Sequence, residues 1–200
     1  MALTQEQGMT LVRLARSTVD NFVNGSGTPD DEEWSAPFLF EERGAFVTLK
    51  KINGDLRGCI GFPYPVKRLG DAVVQAAISA AVHDPRFPPV QPDELDGLVV
   101  EVSALTKPEE LEYRSPRELP ALVRVGTDGL MVSAPGASGL LLPQVATEYH
   151  MEAEEFLSQT CIKAGLMPDA WLTDRVTVQR FQAEVFGEVS PRGEVKRELD

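Results

Sequence analysis

The sequence predicts a mixed α and β chain, with hairpin-linked and hence antiparallel strands and helices packed against them. Three observations carry this. Asn53-Gly54 separates two strand-like runs and marks a hairpin, because both residues tolerate positive φ. Gly126-Thr127-Asp128-Gly129 marks a second hairpin between Leu122–Val125 and Leu130–Ser133. Apolar residues at helical spacing recur near both ends of the chain and directly after the first hairpin.

In chain order, Thr4 to Val23 reads as a helix. Thr4 and Gln7 form a capping box, Gly25 ends it, and Leu11, Leu14, Ala15, Thr18, Val19 and Phe22 make its apolar stripe. Residues 25–37 are a loop rich in Gly, Pro and acids, with Trp34 expected to pin it to the body. Val66 to Val82 is an alanine-rich helix whose mostly apolar circumference predicts burial on more than one side. His83-Asp84-Pro85-Arg86-Phe87-Pro88-Pro89-Val90 follows, a segment that its prolines make rigid and extended.

Leu98 to Leu105 is a strand, and Pro108-Glu109-Glu110 opens a turn or short helix. The stretch from Gly136 to Ala146 resembles a phosphate cradle only superficially, since no lysine follows its glycines. Glu152 to Ala164 is an amphipathic helix that places Cys161 in the core. Val176 to Phe186 is a last strand, and the charged residues from Ser190 onward are expected to fray. One domain over 1–189 with a charged tail at 190–200 accounts for the pattern.

The stretch Leu56-Arg57-Gly58-Cys59-Ile60-Gly61 carries the chemistry. With a two-residue loop at Asn53-Gly54, Lys50 faces Arg57, Leu49 faces Gly58, Thr48 faces Cys59 and Val47 faces Ile60. One face then holds Val47, Leu49, Leu56 and Ile60. The other holds Phe46, Thr48, Lys50, Arg57, Cys59 and Gly61, a thiol beside two cations. Facing like charges destabilise a strand pair, so Lys50 and Arg57 predict either an anionic ligand or an acid supplied from elsewhere. Cations beside a cysteine favour its nucleophilic thiolate. The bland reading is a packed structural cysteine beside solvated basic chains. His83 is a base candidate for Cys59, although a histidine beside a proline loop is more often structural. Asp84 and Arg86 are either functional or a contact that holds their loop. Gln144 lines a cleft or satisfies loop backbone.

The formal net charge of -12 argues against broad nucleic-acid binding, which needs a basic footprint. Met1-Ala2-Leu3-Thr4 has no signal-peptide pattern and no apolar run spans a membrane, which predicts a cytoplasmic protein with reduced thiols. Cys59, His83, His150 and Cys161 have no metal-ligand spacing, so neither a metal nor a cofactor is expected.

Four segments in order resemble the AMMECR family: Leu56–Gly61, Asp84-Pro85-Arg86-Phe87-Pro88-Pro89, Gly139 to Ala146, and Lys163-Ala164-Gly165-Leu166. The resemblance runs from about Gly44 to Glu188, and at Met151 the chain departs from the family's frequent tryptophan. It implies an α+β fold with a larger and a smaller lobe and a cleft between them. It also implies a stand-alone protein A of the AmmeMemoRadiSam type, accompanied by Memo-like and radical-SAM partners. The candidates it carries over are Arg57, Cys59, Asp84, Arg86 and Gln144; His83 and His150 fall outside its pattern.

The family has no settled activity, so two functions are weighed. One is a cytosolic enzyme, or enzyme component of a modification system, with Cys59 as nucleophile or redox thiol. In it Lys50 and Arg57 draw a small anionic ligand, Asp84 and Arg86 complete the pocket, and Gln144 orients the ligand. The alternative is a non-enzymatic adaptor or binding module for a partner protein or RNA. A third option makes Arg57 purely structural, buried and paired with Asp84.

Overall fold

The computed structural model describes residues 2–28, 36–173 and 175–198. In chain order the elements are α1 (Gln5–Val23), β1 (Ala45–Lys51), β2 (Leu56–Phe62), α2 (Leu69–Val82), β3 (Leu98–Leu105), β4 (Glu109–Glu110), α3 (Leu119–Leu122), β5 (Gly129–Ala134), β6 (Ala137–Leu141), α4 (Pro143–Glu148), α5 (Ala153–Lys163), β7 (Thr177–Phe181), β8 (Ala183–Glu188) and β9 (Val195–Arg197). They form an α+β fold with two sheets, each within its own compact unit. Among the described residues, the larger unit joins those up to Leu105 to those of 184–198; the smaller spans Thr106–Ala183. Trp34 lies outside the described residues.

The larger unit holds a five-stranded sheet in the order β2-β1-β3-β8-β9. Thr4 caps α1 through the expected box with Gln7, and Asn24 ends the helix just before Gly25 at φ 76°. Its stripe of Leu11, Leu14, Ala15, Thr18 and Val19 is buried, whereas Phe22 stays exposed. Helix α2 packs on α1, β1 and β2, so its alanines are enclosed on several sides as its composition predicts. The contact with β2 is backbone to backbone. A Cβ on Gly58 would stand 2.1 Å from the carbonyl oxygen of Ala80, so only glycine fits there.

The first hairpin differs from expectation by one residue and then corrects itself. The Lys51 N–H donates to the Asp55 carbonyl, and the Gly54 N–H to the Lys51 carbonyl, so the loop has three residues, ending on Gly54 at φ 90°. Lys50 therefore pairs with Leu56, not Arg57. Arg57 is the extra residue of a bulge, and beyond it the expected register returns: Leu49 with Gly58, Thr48 with Cys59, Val47 with Ile60. The bulge turns Arg57 out of the row it was assigned to and leaves Leu56 exposed instead of in the core.

Buried ion pairs tie the ends of this unit together. Glu184 accepts from the Leu3 N–H at 2.8 Å, from Arg43 at 2.9 Å and from Arg197 at 3.3 Å. Arg16 donates to Glu188 and to the carbonyl of Leu98. Val195–Arg197 pair with Phe186–Glu188, so this part of the charged C-terminal segment is an edge strand and does not fray.

The smaller unit holds a four-stranded sheet in the order β4-β7-β5-β6. Three expectations are corrected here. The second hairpin turns at Pro135-Gly136, with Gly136 at φ 78°, and not at 126–129. Residues 119–122 are helical and bury Leu119, while Asp128 folds the following loop onto the Arg124 N–H. Glu109-Glu110 is a short strand against β7. The last strand divides at Gln182, whose N–H donates to Thr106 Oγ1, into β7 of one sheet and β8 of the other. Phe156, Leu157 and Cys161 of α5 are fully buried, and burial pushes the Cys161 thiol up.

Candidate functional site

The sheet of the larger unit has one apolar face, with Val47, Leu49, Val100 and Val102 fully buried. Its opposite face carries the polar row. Thr48 pairs with Cys59 on one side and with Glu101 of β3 on the other, so the three side chains stand in line across three strands. The Thr48 hydroxyl donates to Cys59 Sγ at 3.2 Å. Lys50, two residues along β1 on the same face, donates to Glu101 at 2.5 Å. Burial opposes the Lys50 charge. The Glu101 carboxylate outweighs that and, with Glu198 and Cys59, holds the ammonium above its ordinary value.

Cys59 is fixed through its main chain. β2 is an edge strand, and the N–H and C=O of Cys59 point away from β1. The N–H donates to Asp84 Oδ2 at 2.8 Å, and the carbonyl accepts from Arg86 Nη2 at 3.2 Å. Arg86 in turn grips Asp84 with a fork, Nε to Oδ1 at 2.9 Å and Nη2 to Oδ2 at 2.7 Å. The Arg86 N–H adds a bond to Oδ1 at 3.1 Å. The Arg86 hydrogen bonds, with those from the two main-chain amides, hold the Asp84 carboxyl well below the usual carboxylate range, against the effect of burial. The segment is not extended as expected: the Phe87 N–H donates to the Asp84 carbonyl at 3.1 Å and closes a turn over Pro85 and Arg86, which brings the Arg86 side chain back onto Asp84.

Arg57 is buried, as the structural reading requires, but its partner is Glu94 and not Asp84. Nε and Nη2 donate to the Glu94 carboxylate at 2.7 and 2.8 Å. Asp84 is already committed to Arg86 and Cys59, and the bulge aims Arg57 at the 3₁₀ segment Pro92–Gly97. Its Cζ lies 5.9 Å from the Phe87 ring centre, and that of Arg86 5.6 Å, so both guanidiniums lie against the same ring. Among the described residues, Arg57 Nη1 is buried without a hydrogen-bond partner. Hydrogen bonding from Arg57 lowers the Glu94 pKa, against desolvation.

The predicted candidates thus divide. Cys59, Asp84 and Arg86 form one hydrogen-bonded group, with Lys50 on the neighbouring row. Arg57 stands beside this group through Phe87. Gln144 is exposed on α4 of the other unit. His83 is exposed at the end of α2, and the hydrogen-bond donor to Cys59 Sγ is Thr48. Sequence reasoning missed Glu101. Its one signal was a carboxylate among valines, Val99-Val100-Glu101-Val102, in an otherwise apolar strand. Among the described residues, no group of three or more His, Cys, Asp or Glu is placed to hold a metal ion. No described helix is long and apolar enough to cross a membrane.

Comparison with known proteins places this geometry in a family. The AMMECR1 family model matches residues 12–186. A protein of Methanothermobacter thermautotrophicus is 55% identical over 190 residues, which is 93% of this chain and 96% of that one. A protein of Thermofilum pendens is 50% identical over 202 residues, 96% of this chain and 95% of the relative. The crystal structure of the uncharacterized protein PH0010 from Pyrococcus horikoshii matches with a TM-score of 0.85 and 47% identity, over 99% of both chains. The chain described here belongs to the AMMECR1 family.

Proposed function

We propose that the protein is an enzyme, or the enzyme component of a cytoplasmic modification system, whose working group is the Cys59 thiol. The observation that carries this is the setting of Cys59. Its main chain is clamped by Asp84 and Arg86, while its half-exposed thiol accepts from Thr48 in a row that ends on Glu101 and Lys50. A clamped nucleophile loses little freedom on reaching the transition state. Lys50 and the exposed side of Arg86 draw the anionic part of a small substrate toward the sulfur. The thiol gives its proton to solvent, the sulfur forms a bond to an electrophilic carbon, and that carbon's bond to its leaving group breaks, the group departing with the bonding electrons. Memo-like and radical-SAM proteins are the partners that the family resemblance supplies for such a system.

A thiol-reactive probe tests this. In a Cys161→Ala background, folded protein treated with iodoacetamide is expected to label at Cys59, with a rate that Thr48→Val changes at least severalfold. Labelling only after denaturation would overturn the proposal.

The adaptor reading is favoured by one observation: Asp84 and Arg86 spend their hydrogen bonds on each other and on the Cys59 main chain of β2, and not on an open pocket. Partner capture that survives Cys59→Ser and fails with Arg57→Ala would select it.

A further inference from the structure

The smaller unit contains a cavity of about 430 Å³ that has no residue in common with the Cys59 site. That size lies within the range of small-ligand sites, roughly 300–1,000 Å³. Leu141, Val145, Met151 and Ile162 give it apolar walls, and Tyr149 stands at its side with 65% of its surface exposed. The walls are set by backbone. A Cβ on Gly139 would come within 2.3 Å of the Ala164 nitrogen, so β6 meets the end of α5 directly. His150, at φ 52°, turns the chain so that both Tyr149 and Met151 reach the cavity.

The polar lining is a ladder. Glu155, Gln159 and Lys163 recur every four residues of α5 and share one face. At a rise of about 1.5 Å per residue, acid and base stand about 12 Å apart along the helix with the amide midway. Among the described residues, none of these three side chains has an internal hydrogen bond or ion pair. An early acid and a late base also suit the helix dipole, but that accounts for neither Gln159 nor the exposed Ile162 beside it.

We propose that this cavity binds a short apolar peptide with free ends. Its ammonium meets Glu155, its carboxylate meets Lys163, a peptide group pairs with the Gln159 amide, and an apolar side chain fills the space against Leu141, Val145 and Ile162. Three extended residues span roughly 10 Å, which matches the ladder. A simple fatty acid would satisfy Lys163 and leave Glu155 facing hydrocarbon.

The test is a titration of the full chain with the tripeptide Ala-Leu-Ala, followed by backbone amide NMR. Saturable shifts are expected at residues 141–163. Acetylating the amino end or amidating the carboxyl end should each weaken binding about two- to fivefold, the size of an exposed ion pair. Lys163→Gln should weaken the free peptide by the same factor and leave the amidated one unchanged. No saturable shift up to about 10 mM, the weak end of measurable affinity, would overturn the proposal. Equal affinity for the capped peptides, or tighter binding of octanoate at the same residues, would overturn it as well.

Discussion

Gly58 has no space for a methyl group, because the Ala80 carbonyl oxygen occupies the position a Cβ would take. The obstacle is helix backbone, which cannot rotate away as a side chain can. Gly58→Ala is expected to cost about 3 kcal/mol, the upper end for overpacking, read as a lower urea midpoint. A midpoint equal to the parent's would mean that α2 slides on β2 without penalty. Asp84 makes a second residue-scale prediction. Its folded pKa is depressed, so its contribution is fully present above the unfolded value near 3.8 and is lost as pH falls through the folded value. Glu94 is lowered in the same sense by Arg57. Stability should therefore drop progressively on acidification below about pH 5, and Asp84→Asn should flatten part of that limb. Thermal melts from pH 6 to pH 2 check it; parallel profiles for parent and variant would refute it.

At the scale of elements, the Asp84–Arg86 pair acts as a stand-in for a missing strand. It supplies one acceptor and one donor to the outward groups of Cys59, where a neighbouring strand would otherwise pair. The bulge at Arg57 on one side and Pro63 on the other shorten the edge that remains. Arg86→Ala uncovers the Cys59 carbonyl and frees Asp84 to move. The variant is expected to self-associate with rising concentration in sedimentation experiments more than the parent does. Equal sedimentation at every concentration would show that the pair does not protect the edge. Arg86→Lys should restore only part of the effect, since an ammonium cannot form the two-pronged grip.

At the scale of the molecule, the larger unit is assembled from both ends of the chain, and Glu184 is where they meet. It binds the Leu3 N–H, Arg43 and Arg197, and Arg197 also reaches the Leu3 carbonyl. Glu184→Gln leaves the buried Arg43 guanidinium without a counter-charge, at an expected cost of about 3–5 kcal/mol. Amide hydrogen exchange should then rise first at Leu3 and at Val195–Arg197; uniform exchange across the larger unit would contradict the assignment. Much of this molecule was legible beforehand. Thr4 and Gln7 announced α1, the alanines announced a doubly buried α2, Asn53-Gly54 announced the hairpin, and four short segments announced the family. These signals are local: capping, periodicity and turn chemistry act within a few residues. The sequence by itself also determined that Thr48 faces Cys59, although the loop length it implied was one residue short and the Arg57 bulge made up the difference. Only the tertiary structure decided that Arg57 pairs with Glu94, that Asp84 and Arg86 serve the Cys59 main chain, that Glu101 joins the Cys59 row, and that the final strand changes sheets at Gln182. Each of these depends on which distant strand or loop arrives alongside, and strand order is settled by burial over the whole core, not by any short run of residues.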